Sequence, residues 1–185
     1  MMAASIRDGA HPMKRLQVAE TGSEDSVFHL EPIVRDHCAA IIDIFNYYVE
    51  NSFATYTATR VPYNFFDTFL KTARGVAALN GDGEVVGFAM LGVSSNTPAF
   101  SHTAEITYFI KPEYTGRGIG SSMLEYLIRE AKENSITSIL ASVSSRNRGS
   151  IAFHLKNGFR QAGRFLNVGR KNGELFDVIW MQKQI

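Results

Sequence analysis

With a single cysteine, Cys38, the chain has no internal disulfide framework, a composition that fits a reducing compartment. Cys38 itself reads as a buried small hydrophobe on a helix rather than a reactive nucleophile. Charge of one sign is also lacking: Lys and Arg total 19 against 18 Asp and Glu, a formal charge of +1. No global field therefore recruits nucleic acid or an anionic membrane, and any anion site must be local. No apolar run approaches a membrane span, and the opening MMAASIRDGAHPMKRLQ lacks the apolar stretch of a signal peptide. The chain reads as cytoplasmic, with neither nucleic acid nor membrane as a partner. Internal repeats and linkers are absent too, and 185 residues make one domain's worth of length.

What is present alternates between two periods. Residues 1–25 are polar and aperiodic and read as a flexible leader, leaving 26–185 as a single domain. VFHLEPIV (27–34) reads as a strand, and Asp36 is placed to cap the helical pattern of 37–51. A second aromatic-rich helix follows over 64–73. Residues 75–80 and 84–93 flank GDGE and predict a hairpin, since Asp-Gly tolerates the positive φ of a tight turn. TAEITYFIK (103–111) alternates as a strand, 135–144 is another, and 147–159 is a short helix ending at Gly158. Residues 164–183 form a hairpin around Asn172-Gly173. The fold class is α/β: one mixed sheet of about seven strands with helices on its faces.

One stretch does not follow from packing alone. EYTGRGIGSSMLEYLIREA (113–131) sets Gly116, Gly118 and Gly120 at the start of an amphipathic helix. Glycine costs conformational entropy, so three in five positions point to a close approach of backbone to a ligand. A strand, a glycine turn and a helix whose first amides face outward form an anion cradle, and phosphate is the obvious guest. No Gly-Lys-Ser/Thr follows, so the turn is not a phosphate loop of the nucleotide triphosphatase type. A nucleotide-binding oxidoreductase would need an early glycine motif and a parallel sheet, and neither is evident.

The stretch from Glu113 to Phe165 resembles the core of the GCN5-related N-acetyltransferase superfamily, in which an Arg/Gln-x-x-Gly-x-Gly/Ala turn holds the pyrophosphate of acetyl-CoA. More narrowly, IFNYYVENSFATY, TAEITYFIKPEYTGRGIG, SIAFHLKNGF and GRFLNVGRKNGELFDVIWMQ are similar to the phosphinothricin and methionine sulfone/sulfoximine acetyltransferases. Thr115 departs from the pattern, standing where the superfamily usually has Arg or Gln. The resemblance implies acetyl-CoA as acetyl donor, an amino-acid-like amine as acceptor and a homodimer, and it calls for no metal.

The same resemblance distributes roles. Acetyl transfer to an amine needs a base, because an alkyl amine is mostly protonated at neutral pH. Glu105 lies in the block where these relatives carry their catalytic glutamate. The backbone of Tyr108, Phe109 and Ile110, splayed from the strand beginning near Ile139, is expected to bond the pantetheine arm. The cradle is Gly116, Arg117, Gly118, Ile119, Gly120 and Ser121, with Asn147 on the pantetheine arm and Lys156 near a phosphate. His154 stands where most members have a tyrosine and is the expected acid towards the thiolate. Phe53, Tyr56, Pro98, Ala99 and Phe100 are expected at the acceptor. No arginine stands between Arg74 and Arg117, so a carboxylate clamp would come from elsewhere, and Arg60 is the nearest upstream cation. An acetyltransferase for another small amine and a non-catalytic acyl-CoA sensor remain open alternatives.

Overall fold

The computed structural model describes residues 28–185; the expected leader and Val27, the first residue of the first predicted strand, lie outside the described residues. Seven strands form one sheet: β1 (Phe28–Pro32), β2 (Ala73–Asn80), β3 (Val85–Val93), β4 (Thr103–Ile110), β5 (Ser138–Ser144), β6 (Arg160–Lys171) and β7 (Glu174–Gln184). Their order is β1-β2-β3-β4-β5-β7-β6. Every neighbouring pair is antiparallel except β4 and β5, which run parallel.

Four helices cover the faces: α1 (Cys38–Asn51), α2 (Phe66–Thr72), α3 (Ile119–Glu133) and α4 (Arg148–Lys156). Strand alternation sorts the side chains between two cores. On one face Ala104 and Ile106 of β4 pack with Ile139, Ala141 and Val143 of β5 and with Met123, Leu124 and Leu127 of α3. On the other, Phe88 and Phe109 meet Ile41, Ile42 and Ile44 of α1 and Phe66 of α2. Each buried aliphatic or aromatic side chain there is worth about 1.5–3 kcal/mol over leaving it in water.

The hairpin expected at Asn172-Gly173 is present, with φ of 51° and 80°, the two positive values a type I′ turn requires. β6 carries a register shift between Phe165 and Gly169. There Asn167 takes a positive φ and donates its N–H to Asp177 Oδ1 at 2.8 Å, while Arg164 pairs with the same carboxylate.

Asp36 does not cap the first helix. A 3-10 turn, Arg35–His37, closes through the His37 N–H to the Val34 carbonyl at 3.1 Å, so Asp36 is already inside a turn when α1 begins. Buried His37 organises this start instead: Nδ1 accepts the Val34 N–H at 3.3 Å and Nε2 lies 3.0 Å from Glu31 Oε1. Cys38, the first residue of α1, is half-buried rather than buried, with Sγ 3.4 Å from the Tyr63 carbonyl.

Candidate active site

The parallel pair at the middle of the sheet is short. β4 meets β5 only at Thr103↔Ser138, Ala104↔Ile139 and Glu105↔Leu140, whereas β3 accompanies β4 all the way to Gly87↔Ile110. From Ile106 to Ile110, then, β4 is paired on one side only. Lys111 donates its N–H to Val86 on β3 at 2.8 Å, so alternation turns the backbone groups of Ile110 and Tyr108 the other way, into the gap beside β5. The Ile110 carbonyl is taken there by the Tyr48 hydroxyl at 2.5 Å, a short bond from α1. The remaining amides and carbonyls form the unpaired edge that the sequence leads one to expect at 108–110. Phe109 belongs to the opposite set: its side chain is in the α1 core, and its backbone faces β3.

Directly beyond lies the glycine turn. A 3-10 turn, Pro112–Tyr114, is closed by the Thr115 hydroxyl, which donates to the Pro112 carbonyl at 2.7 Å; this is where Thr115 spends the position usually given to a longer side chain. Gly116 and Gly118 have φ of 77° and 85°, and a Cβ at either would meet nothing within 4 Å. The turn is thus left-handed backbone facing open space. The first intrahelical bond of α3 is Ser122 N–H to the Gly118 carbonyl at 3.1 Å, so the N–H groups of Ile119, Gly120 and Ser121 precede the ladder. These donors and the helix dipole fit a diphosphate. Gly120 has a different task, since a Cβ there would stand 3.1 Å from the Phe153 ring: it lets α3 approach α4. Arg117 is exposed beside the turn, its guanidinium 5.1 Å from the Tyr114 ring centroid.

On the α3 face of the gap His154 is buried, 2% exposed. Its Nδ1 lies 2.7 Å from the Ser150 carbonyl and therefore carries the hydrogen. The Tyr108 hydroxyl, 3.1 Å from the ring nitrogens, then donates to Nε2. Burial lowers the His154 pKa, with the Ser150 bond opposing, and it raises that of Tyr108. The resting pair is a neutral imidazole and a neutral phenol. Asn147 caps α4, its Oδ1 accepting the Ser150 N–H at 3.1 Å, which leaves its amide NH₂ as the free end. Lys156 is exposed in the last turn of α4.

Glu105 stands at the last rung before β4 and β5 part, and Ser94 donates to its carboxylate at 3.3 Å. The phenol of Tyr56 lies within its field: burial raises the Tyr56 pKa, Ser142 beside the hydroxyl lowers it, and the charge of Glu105 raises it further. Tyr56 stacks on Phe176 of β7, with ring centroids 5.7 Å apart, and Phe53 meets the same ring edge-on at 5.7 Å. Pro98, Ala99 and Phe100 form an exposed 3-10 turn in the β3–β4 connection, with Phe100 53% exposed. Arg60 is not in this cluster; it pairs with Glu50 at 2.9 Å on the exposed side of α1.

Phe176 and Arg146 were not among the sequence-predicted residues. Phe176 reads in sequence as one more apolar strand position, and only the fold sets it between Phe53 and Tyr56. Arg146 follows β5, holds Glu174 at 2.8 Å, and lies 5.5 Å from the Phe53 ring centroid. A groove of about 470 Å³ also opens beside Tyr47 and Tyr48, against Lys111 and Pro112. None of the predicted site residues lines it.

Residues 41–159 match the family described as Acetyltransferase (GNAT) family. The chain is 29% identical over 152 residues to the L-amino acid N-acyltransferase MnaT of Escherichia coli, covering 80% of this chain and 88% of that protein. It is 30% identical over 147 residues to an L-methionine sulfoximine/L-methionine sulfone acetyltransferase of Pseudomonas aeruginosa, covering 77% and 86%. Among solved structures, a phosphinothricin acetyltransferase of the GNAT superfamily from Sinorhizobium meliloti, in complex with AcCoA, superposes with a TM-score of 0.80 at 27% identity, over 85% of this chain and 88% of that one.

Proposed function

The chain belongs to the acetyltransferase (GNAT) family and is an acetyl-CoA-dependent N-acetyltransferase, and from that premise we propose that its acceptor is the primary amine of a small amino-acid-like molecule of the phosphinothricin, methionine sulfone or methionine sulfoximine type, with Glu105 as general base. The observation that carries the proposal is the parting of β4 from β5 immediately after Glu105, which puts a carboxylate at the head of an unpaired strand edge.

Bound acetyl-CoA supplies a thioester whose acetyl group an amine can take. The chain's own groups divide the remaining work. Ile119, Gly120 and Ser121 offer amides to the diphosphate, with Arg117 and Lys156 as outer cations. The Tyr108 and Ile110 backbone, with the Asn147 amide, bonds the pantetheine arm. Glu105 takes the proton of the incoming amine, directly or through water. Proton return is assigned to the Tyr108 hydroxyl, the more exposed member of the pair, which gives its own proton to the thiolate and regains one from solvent, while His154, whose single hydrogen is held on Nδ1 by the Ser150 carbonyl, orients the phenol through Nε2. Phe53, Tyr56 and the Pro98–Phe100 turn flank the acceptor. The same reading places the enzyme in the cytoplasm and makes it a homodimer.

One observation favours the alternative of a small amine without a carboxylate: Arg60 is engaged by Glu50, and no arginine lies between Arg74 and Arg117. The experiment is to incubate the protein with acetyl-CoA and a panel containing L-phosphinothricin, L-methionine sulfone, L-methionine sulfoximine and simple alkyl amines, and to follow free thiol. Release with an amino-acid-like member is expected. Release only with simple amines moves the acceptor class, and tight acetyl-CoA binding without release from any amine points to a sensor.

A further inference from the structure

Lys171 is the one lysine of the chain in the buried class among the described residues, 2% exposed at the end of β6. Its Nζ donates to the Ser52 carbonyl at 2.7 Å, to Thr55 Oγ1 at 3.1 Å and to the Thr55 carbonyl at 3.2 Å. All three acceptors are neutral oxygens, and among the described residues no carboxylate pairs with the ammonium. Desolvating a cation is costly, and no opposite charge offsets that cost here. Burial accordingly lowers the Lys171 pKa. The use of a charge here points to geometry.

The bonds span 116 and 119 residues of sequence and land on the segment that leaves α1. Ser52 is the C-cap of that helix, where the carbonyls lack intrahelical donors and the dipole is negative. Thr55 in turn donates from Oγ1 towards the Tyr48 carbonyl at 3.4 Å, and Ser52 Oγ donates there at 2.9 Å. Between and beside the two anchors stand Phe53 and Tyr56, both packed on Phe176.

We propose that Lys171 is a positioning residue for the acceptor side of the site: its ammonium fixes residues 52–55 to the β6–β7 hairpin, so that Phe53, Tyr56 and Phe176 stand as one wall beside Glu105. The inference rests on the reading above that this wall faces the amine. It predicts a variant in which coenzyme binding and acceptor recognition separate.

In Lys171→Met, which leaves the Ser52 and Thr55 oxygens without their donor, the melting temperature falls, amide exchange over residues 53–57 quickens by about tenfold, and KM for L-methionine sulfone rises by about tenfold with the calorimetric Kd for acetyl-CoA unchanged. Thr55→Val removes one acceptor from the other side and shifts exchange and KM the same way by a smaller factor, which keeps the test available if Lys171→Met folds poorly. Unchanged exchange in both variants overturns the proposal, as does quickened exchange with an unchanged KM. Phe53→Ala separates the two layers: if it leaves KM unmoved, the wall is not at the acceptor and the functional reading fails, whereas a raised KM in Phe53→Ala beside an unmoved one in the Lys171 and Thr55 variants overturns the positioning role alone.

Discussion

Glu105 faces Leu140 across the last rung that β4 and β5 share, and five residues of β4 beyond it have a strand neighbour on one side only. A carboxylate at a strand junction has its position set by backbone pairing on both flanks, which holds it more firmly than a loop does.

If Glu105 collects the amine proton, Glu105→Gln keeps the shape and removes the basic site. Turnover is expected to fall by about 10²–10⁴-fold with acetyl-CoA affinity retained. Steady-state kinetics beside calorimetric coenzyme binding check it; full turnover reassigns proton removal.

Gly118→Asp tests the cradle. The position has φ of 85° and opens onto empty space, so the substitution adds backbone strain of about 1–2 kcal/mol and a negative charge against the diphosphate. Acetyl-CoA binding should weaken by more than tenfold, by calorimetry; binding that survives moves the anion site elsewhere.

Acidification should act through His154. Its folded pKa lies below the ordinary 6.5, so as pH falls under 6.5 the unfolded chain takes up a proton before the folded one does, and stability declines until the folded pKa is passed. The slope contributed by one group is at most about 1.4 kcal/mol per pH unit. Denaturant titrations between pH 7.5 and 5 should show a shallower loss in His154→Gln than in wild type; equal slopes would assign the decline to other groups.

Gly169→Ala tests the aromatic wall from behind. An added Cβ would stand 2.2–2.7 Å from three atoms of the Phe176 ring, so the ring must shift. Overpacking of this kind costs about 1–3 kcal/mol, and the displaced ring should raise the acceptor KM as well. A variant as stable as wild type with the same KM would show that Phe176 has room to yield.

The homodimer proposed above would use the sheet edge. Leu166, Val168, Phe165 and Leu175 are 70%, 60%, 55% and 43% exposed on the terminal hairpin, and β6 is one of the two edge strands. Such an edge is managed in most proteins by covering it. Sedimentation at micromolar concentration should give a dimer, and Leu166→Lys with Val168→Lys a monomer; a wild-type monomer removes the assignment.

The sheet was legible because its signals are local. Asn172-Gly173, the Asp-Gly turn and the alternation of 103–110 each act within a few residues, and each produced the expected element. The start of α1 was misread because Asp36 satisfies the same local rule as a cap, and a tertiary pair, His37 with Glu31, decides otherwise. At the site, the glycine turn announces itself, since its purpose is written in backbone freedom. The Tyr108–His154 pair, Phe176 and Lys171 do not, for their partners lie 46 residues away or more than a hundred, and nothing in an apolar strand or a lone lysine names them.

The short parallel rung also has a mechanical meaning. Strands β1–β4 and β5–β7 are two leaves stitched by three residue pairs, with α3 packed across both as the hinge pin. A ligand lying in the gap and bonding both margins lengthens that seam, much as an added strand would. Resistance to unfolding then tracks the supply of the donor, by about 2.7 kcal/mol when its concentration is a hundred times Kd. With the coenzyme in that gap, the protein short of acetyl-CoA would open more easily, so that its survival against an added protease, and not only its rate, would follow the metabolite it consumes.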